Sequence, residues 1–192
     1  MTYQQLKKKV EDKGFKFFDK GSYNLNIIYF RNNNVFTDKY TDTLYIAYKN
    51  GIVETLFEAP CSTKAGSYYV KNPITYLGIK GTAVMKEGQW EGCYQFIDNN
   101  SWLNTPYLKQ IKPISIWRDG IIDGDIDEQN EQSGIFGINC HTAGDIKNII
   151  YNWSAGCLVT PKEKWLQALN IIREGSKRYG NIFTVTLIEN YN

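Results

Sequence analysis

The sequence predicts an α+β fold that is made mainly of antiparallel β-strands, with one helix near each end of the chain. Two observations carry this prediction. Short runs of β-branched and aromatic residues recur along the middle of the chain, separated by Gly, Asn, Asp or Pro. Sequence patterns that start a helix occur only near the two ends of the chain. Helices that flank a run of strands in this way are typical of the α+β class. Aromatic residues make up 15% of the chain, which favours strands and a well-filled core.

The first predicted element is an N-terminal helix. Thr2 and Gln5 have the spacing of a capping box, in which each side chain binds the backbone N–H of the other residue. Gly14 supplies the stop signal. A chain of 192 residues is long enough for one self-sufficient core. We therefore expect a single domain over 1–192, with residues 1–20 as a helical extension and 25–192 as the main body.

The middle of the chain is predicted to form strands. The dipeptide Asn50-Gly51 favours the tight turns that join antiparallel neighbours, so the segments on either side of it form a predicted hairpin. The predicted strands are 26–30, 43–48, 52–57, 67–70, 82–85, 93–97, 114–117, 135–141 and 182–188.

A second helix is predicted shortly after residue 160. Thr160 has the pattern of an N-cap, with Pro161 at the first helical position and Glu163 closing the capping box. Apolar residues follow at helical spacing and predict one buried face: Trp165, Leu166, Leu169 and Ile172. Gly180 predicts an end near Tyr179.

Charge and hydropathy exclude several classes of protein. The net charge is only +2, so nucleic acid is not an expected partner. The N-terminus is polar, and no apolar stretch reaches the roughly 18–20 residues of a membrane span, so we expect cytoplasmic synthesis without a signal peptide and no membrane insertion. Four cysteines without a Cys-x-x-Cys pair favour free thiols, although two disulfides are possible on counting alone. No cofactor is expected.

One acidic stretch raises the question of a metal. It contains clustered carboxylates of the kind that bind calcium: Asp119, Asp123, Asp125, Asp127 and Glu128. The order of residues in a calcium-binding loop is missing, so a solvated acidic loop is favoured over calcium. Zinc is disfavoured, because Cys140 and His141 are adjacent and would point to opposite faces of a strand.

The strongest chemical signal joins the single histidine, His141, to the segment that ends in Cys157. Strand periodicity places Gly137, Asn139 and His141 on one face and turns Cys140 towards the core. A cysteine attacks as thiolate and needs a base or a lowered pKa, which one imidazole can supply. Gly156 lets the backbone approach a substrate closely, so amides next to Cys157 could hold an oxyanion.

This pattern resembles the catalytic domain of L,D-transpeptidases, in which a strand-borne histidine precedes a Ser/Thr-x-Gly-Cys segment. His141, Ser154, Gly156 and Cys157 match that motif, and the resemblance implies that Cys157 is the nucleophile and His141 its base. A second segment is similar to the family's Thr-x-x-Gly-x-Tyr/Phe pattern, through Thr63, Gly66 and Tyr68. Trp153 matches a phage or prophage version of the domain that ends in Trp-Ser-x-Gly-Cys. The implied substrate-binding residues are Trp153, Ala155, Asn139 and Tyr68.

The resemblance implies a β-sandwich or barrel that carries out cysteine-dependent acyl transfer on peptidoglycan stem peptides. Leu158 and Thr160 stand where the family has Arg and Asn, so we expect hydrolysis rather than cross-linking. The alternative is a non-catalytic virion or cell-wall-binding protein that keeps the fold. A chain of this kind would be virion-associated, released to the wall at lysis, or retained to trim recycled wall peptides.

Overall fold

The computed structural model describes residues 1–76, 78–99, 105–121, 123–143 and 149–190. The helices are α1 (Tyr3–Asp12), α2 (Ser67–Lys71) and α3 (Lys162–Tyr179). The strands are β1 (Asn26–Arg31), β2 (Asp42–Asn50), β3 (Val53–Cys61), β4 (Thr75–Tyr76), β5 (Ile79–Lys80), β6 (Thr82–Met85), β7 (Gly88–Ile97), β8 (Tyr107–Gln110), β9 (Ile114–Asp119), β10 (Gln132–Gly134), β11 (Cys140–Thr142), β12 (Leu158–Thr160) and β13 (Ile182–Glu189).

Eight of these strands form one sheet in the order β12-β11-β8-β7-β13-β1-β2-β3. Directly after β3, Ser62 exchanges two backbone hydrogen bonds with Val159 of β12, at 2.8 and 2.9 Å. The two edges of the sheet meet at this point, which we call the seam, and the sheet is nearly closed like a barrel. Among the described strands of this sheet, the β1–β13 and β11–β12 pairs are parallel and the others antiparallel. The predicted α+β class with mainly antiparallel strands is confirmed.

The core lies on one face of this sheet, and α1 covers part of the other face. The main cluster combines strand residues such as Tyr29 and Leu108 with Trp165 and Leu169 of α3. The smaller sheet, ordered β10-β9-β6, adds residues such as Ile116 to the same core. Apolar residues of α1 pack on the outer side of β1 and β2: Tyr3, Leu6 and Val10. Within the described residues, no helix is long and apolar enough to cross a membrane.

The two terminal helices test the capping predictions. The capping box of α1 is confirmed, since Thr2 and Gln5 each bind the other's backbone N–H. At α3 the prediction is wrong by one residue, because Thr160 ends β12 and Pro161 occupies the cap position. Thr160 pairs with Thr142 of β11. This strand pairing stabilises the fold more than a side-chain hydrogen bond from Thr160 to the first turn of α3 would. The helix ends at Tyr179 as predicted.

Two predicted strands differ from the structure. Residues 67–70 belong to the short helix α2, which begins directly after the extended residue Gly66. The Asp38 carboxylate accepts Ser67 N–H at 2.8 Å and so binds the first residue of this helix. The predicted strand 135–141 is mostly irregular, and only its end enters β11. The side-chain oxygen of Gln110 accepts the N–H groups of Phe136 and Ile138, each at 3.0 Å. A side chain therefore supplies the hydrogen bonds that a neighbouring strand would otherwise provide.

The acidic stretch is partly buried. Asp119 is only 3% exposed, and its carboxylate accepts N–H groups of Ile121 and Asp127, both at 3.1 Å. Asp119 therefore shapes the loop, whereas Asp123, Asp125 and Glu128 are exposed as predicted. Among the described residues, no group of three or more His, Cys, Asp or Glu side chains is placed to hold a metal ion.

Candidate active site

The parallel pairing of β11 and β12 brings the motif residues together. Its register places Cys140 beside Leu158 and His141 beside Val159. Leu158 N–H donates to the Asn139 carbonyl at 2.9 Å, so Cys157 lies beside Asn139 just before β12 begins. Paired residues of a parallel ladder point to the same face, and alternate residues share that face. His141 and Val159 therefore share one face of neighbouring strands, and Cys157 lies directly before β12, two residues from Val159.

The opposite face of this pair belongs to the core. Cys140 and Leu158 are fully buried in the main cluster, which confirms the inward direction predicted for Cys140. On the site face, Val159 packs with Ala143 and Ile150, and Cys157 lies against this small cluster. On this pair of strands, Cys140 and Leu158 therefore face the sealed core, and Val159 faces the small cluster.

The thiol of Cys157 is held by the backbone of β11 and the segment before it. Asn139 N–H donates to Sγ at 3.4 Å, and the Gly137 carbonyl accepts from the thiol at 3.4 Å. Burial raises the pKa of Cys157 to about 11, although the Asn139 N–H acts in the opposite direction. All four cysteines are free, as favoured from the sequence, and only Cys157 is partly exposed. In the resting protein this side chain is a neutral thiol.

His141 is buried and has a defined tautomer. Its Nδ1 lies 2.7 Å from the Thr142 carbonyl oxygen. A carbonyl can only accept, so Nδ1 carries the hydrogen and Nε2 of the neutral ring carries the lone pair. Burial lowers the pKa of His141, and the Thr142 carbonyl acts in the opposite direction. The ring is therefore an unprotonated base near neutral pH.

The resting thiol and imidazole hold separate backbone partners. Within the described residues, no hydrogen bond joins Sγ of Cys157 to the ring of His141. Catalytic hydrogen bonds are often loose before substrate binds. The pair can act as nucleophile and base only if a side-chain rotation replaces the Gly137 contact of the thiol.

Ser154 stabilises the turn before Cys157. Its hydroxyl lies 3.2 Å from the Lys64 carbonyl and 2.8 Å from the Cys157 carbonyl, and it accepts Gly156 N–H at 3.1 Å. The group that orients the imidazole of His141 is the Thr142 carbonyl, which lies 2.7 Å from Nδ1. Gly156 is required sterically, because it has φ +126° and an added Cβ would lie 2.6 Å from the Ala83 carbonyl oxygen.

The second motif segment packs directly against this turn. Gly66 N–H donates to the Ser154 carbonyl at 2.9 Å. A Cβ on Gly66 would lie 2.0 Å from the Tyr151 carbonyl oxygen, so only glycine permits this approach. Tyr68 is 41% exposed, and its ring centroid lies 5.7 Å from that of Tyr151. The two sequence segments that carry the resemblance therefore form one structural unit, although they are far apart in the chain.

A cavity of about 100 Å³ opens beside Cys157. Its lining includes Ala155, Cys157, Ala83 and Arg118. A space of this size accommodates several water molecules or a small group of a substrate. Its remaining lining residues are Tyr69, Ile74, Gly81, Thr82, Phe136, Gly137 and Ile138.

The predicted substrate-binding residues occupy different environments. Ala155 lines the cavity, and Trp153 is exposed near the turn. Asn139 is buried, and its side-chain oxygen accepts Gln110 N–H at 2.9 Å, so its amide stabilises the sheet.

Sequence reasoning missed Arg118, which also lines the cavity. Its alternation with the buried residues Ile114 and Ile116 was the available signal that it points inwards.

The fold and the site together define a β-rich α+β protein with a partly exposed thiol and a buried imidazole at the seam of its sheet. Comparisons with protein-family models, curated proteins and solved structures give no significant match. The resemblance to L,D-transpeptidases therefore stays a prediction, carried by the motif residues.

Thiol alkylation tests the environment of Cys157. We expect iodoacetamide to modify Cys157 first, because Cys61, Cys93 and Cys140 are buried. With a pKa of about 11, the rate should rise about tenfold for each pH unit between pH 7 and 10, in proportion to the thiolate. Peptide mass mapping at several pH values measures both effects. A plateau near neutral pH would instead reveal a thiolate–imidazolium pair.

Proposed function

We propose that this protein is a cysteine-dependent hydrolase of peptide amide bonds, with Cys157 as nucleophile and His141 as general base. The observation that carries this proposal is the β11–β12 pairing, which sets His141 beside Val159, two residues after Cys157, the one partly exposed thiol. The cavity beside Cys157 supports it, because an attacked carbonyl needs space next to sulfur.

The chemistry begins with the neutral pair. Nε2 of His141 takes the proton of the Cys157 thiol while sulfur attacks the carbonyl carbon of the substrate. The C–N bond then breaks, and the imidazolium returns its proton to the leaving amine. Water, activated by the same imidazole, hydrolyses the thioester and restores the thiol. A neutral starting pair is suited to this sequence, because His141 is unprotonated when attack begins.

The oxyanion needs a hydrogen-bond donor close to sulfur. Gly156 N–H is already used by the Ser154 hydroxyl at 3.1 Å. We therefore assign Cys157 N–H as the main donor, with Gly156 setting the shape of the turn. The Ser154 hydroxyl lies 2.8 Å from the Cys157 carbonyl and accepts Gly156 N–H, and these contacts fix the backbone on either side of the Cys157 N–H.

The substrate class follows from the motif resemblance, which implies a peptidoglycan stem peptide. Leu158 is buried in the core, and Thr160 lies in β12, so neither can present a charged group to a substrate. With few fixed polar groups to hold an amine acceptor, water is the favoured acceptor of the acyl group.

A second candidate function is a non-catalytic module that binds a wall peptide or a virion component. The observation that favours it is the resting geometry, in which the thiol has a pKa of about 11 and binds the Gly137 carbonyl. A binding module keeps the cavity and does not depend on the reactivity of Cys157.

Product analysis separates these functions. We expect purified protein incubated with peptidoglycan fragments to release shorter stem peptides, with few cross-linked or amino-acid-exchanged products. Mass spectrometry, with the Cys157→Ala protein run in parallel, measures each product class. Cross-linked or exchanged products in quantity would show that transfer dominates. Unchanged fragments in both reactions would favour the binding module.

A further inference from the structure

We propose that Asp38 is a positioning residue of the candidate active site, and that its carboxylate holds the turn before Cys157 in the conformation that the reaction needs. This inference rests on the proposed function and goes beyond it, because it assigns a role to a residue outside both motif segments. Asp38 lies in the segment 32–41 between β1 and β2, and it is half-buried.

The carboxylate of Asp38 binds two segments that are remote from each other in the chain. Oδ1 accepts Ser67 N–H at 2.8 Å and Tyr151 N–H at 2.9 Å, and Oδ2 accepts the Ser67 hydroxyl at 2.5 Å. The backbone carbonyl of Asp38 also accepts Ile150 N–H at 2.9 Å. Hydrogen bonds from N–H groups to a carboxylate are roughly twice as strong as those between neutral groups. Asp38 therefore joins the start of α2 to the chain that leads into the turn.

The backbone of Tyr151 is held in an unfavoured conformation at this point. Its φ is +39°, in the left-handed region that a bulky residue rarely adopts. Such a conformation persists only where the surrounding contacts hold it, and it is often found at functional sites. Asp38 supplies two of these contacts, one at Tyr151 N–H and one at Ile150 N–H. Loss of the carboxylate should let this backbone relax.

Short steps connect this backbone to the nucleophile. Gly66 immediately precedes α2 and donates its N–H to the Ser154 carbonyl at 2.9 Å. The Ser154 hydroxyl in turn lies 2.8 Å from the Cys157 carbonyl. Asp38 therefore reaches the turn along two routes, one through α2 and Gly66 and the other along the chain from Tyr151.

A shift of this turn should slow the reaction without weakening substrate binding. The thiol of Cys157 must reach the carbonyl carbon of the substrate, and a misplacement of about 1 Å can cost about 100-fold in rate. Asp38 is not among the described residues that line the cavity, so its effect on the substrate should pass through the turn. The expected signature is a lower kcat at a nearly constant KM.

Steady-state kinetics on one peptidoglycan fragment measure this signature. Asp38→Ala should lower kcat by about 10- to 100-fold and change KM by less than about threefold. Asp38→Asn should recover most of kcat, because its amide oxygen can accept the same two N–H groups. If Asp38→Ala fails to fold, as judged by circular dichroism, Asp38→Glu replaces it. Its extra methylene displaces the carboxylate and should give the same fall in kcat.

Alkylation gives a second measurement that needs no substrate. Burial is the main cause of the raised pKa of Cys157, so a loosened turn should expose the thiol and lower that pKa. We expect iodoacetamide to modify Cys157 about 3- to 10-fold faster in Asp38→Ala at about pH 8. The buried thiols of Cys61, Cys93 and Cys140 should keep their native rates. Equal acceleration of all four thiols would show that Asp38 stabilises the whole fold rather than this turn, and would overturn the proposal.

Thr2→Ala is the matched control. It also removes a side-chain hydrogen bond to a backbone N–H, that of Gln5 at the start of α1. This variant should keep the native kcat and the native alkylation rate of Cys157.

The two measurements separate this inference from the proposed function. If the native protein cleaves the fragment, a folded Asp38→Ala or Asp38→Glu protein with native kcat would overturn the inference and leave the hydrolase proposal intact. If the native protein cleaves nothing, the hydrolase proposal fails and alkylation decides the role of Asp38. Faster modification of Cys157 alone would then support the positioning role, and an unchanged rate would refute it.

Discussion

Cys157→Ala should abolish hydrolysis of peptidoglycan fragments, and His141→Gln should lower kcat/KM by roughly 10²- to 10⁴-fold, the usual contribution of a general base. The alanine variant has no sulfur to form the acyl-enzyme. The glutamine variant keeps a polar side chain of similar length but cannot take the thiol proton. Initial rates on one purified fragment, followed by chromatography, measure both losses.

The control for this prediction is Cys93→Ala. It also removes a thiol, but Cys93 lies in β7, and its sulfur contacts the carbonyls of Glu91 and Pro113. Its activity should match that of the native protein. If His141→Gln kept full activity while Cys157→Ala had none, a different group would have to be the base. Full activity in Cys157→Ala would eliminate the thiol mechanism.

Asp42→Ala should destabilise the protein by about 3–5 kcal/mol, because it leaves a buried ammonium without its carboxylate. Asp42 and Lys64 have fully buried side chains, and Nζ of Lys64 lies 3.2 Å from Oδ1 of Asp42. The other carboxylate oxygen accepts the N–H of Thr63 at 2.9 Å and its hydroxyl at 2.8 Å. The free energy of unfolding, measured by urea denaturation, gives the loss.

The matched control is Asp12→Ala, which breaks the exposed i,i+4 pair with Lys8. Exposed pairs of this kind contribute at most about 1 kcal/mol. Equal losses in the two variants would show that the buried pair contributes no more than a surface pair. The buried pair also affects the site, because the Lys64 carbonyl accepts the Ser154 hydroxyl at 3.2 Å. Asp42→Ala should therefore reduce activity in the molecules that remain folded.

Local sequence patterns predicted many of the elements correctly. Short polar signals fixed α1, whose capping box involves only Thr2 and Gln5. The hairpin of β2 and β3 around Asn50-Gly51 is confirmed, because a turn depends on adjacent residues. The segment 82–85 matches β6, and 182–188 matches most of β13. The patterns that predicted these elements involve near neighbours in the chain, although β6 and β13 pair with strands remote in sequence.

Other elements depended on partners that a local pattern does not contain. The short strand β12 carries only Leu158, Val159 and Thr160, and it exists because β11 and Ser62 pair with it on either side. The same pairing removed Thr160 from its predicted cap. The predicted strand 67–70 is the helix α2, because the carboxylate of Asp38, remote in sequence, binds Ser67 N–H at the start of that helix.

The sequence by itself determined the α+β class, the inward direction of Cys140 and the candidate pair Cys157 and His141, because strand alternation and residue chemistry are local properties. Tertiary structure alone decided that the sheet closes beside Cys157, that Ser154 stabilises the turn, and that Arg118 lines the same cavity. The physical reason is that each of these depends on contacts between strands remote in sequence. Burial and hydrogen bonding, which set the pKa of Cys157, follow from those contacts.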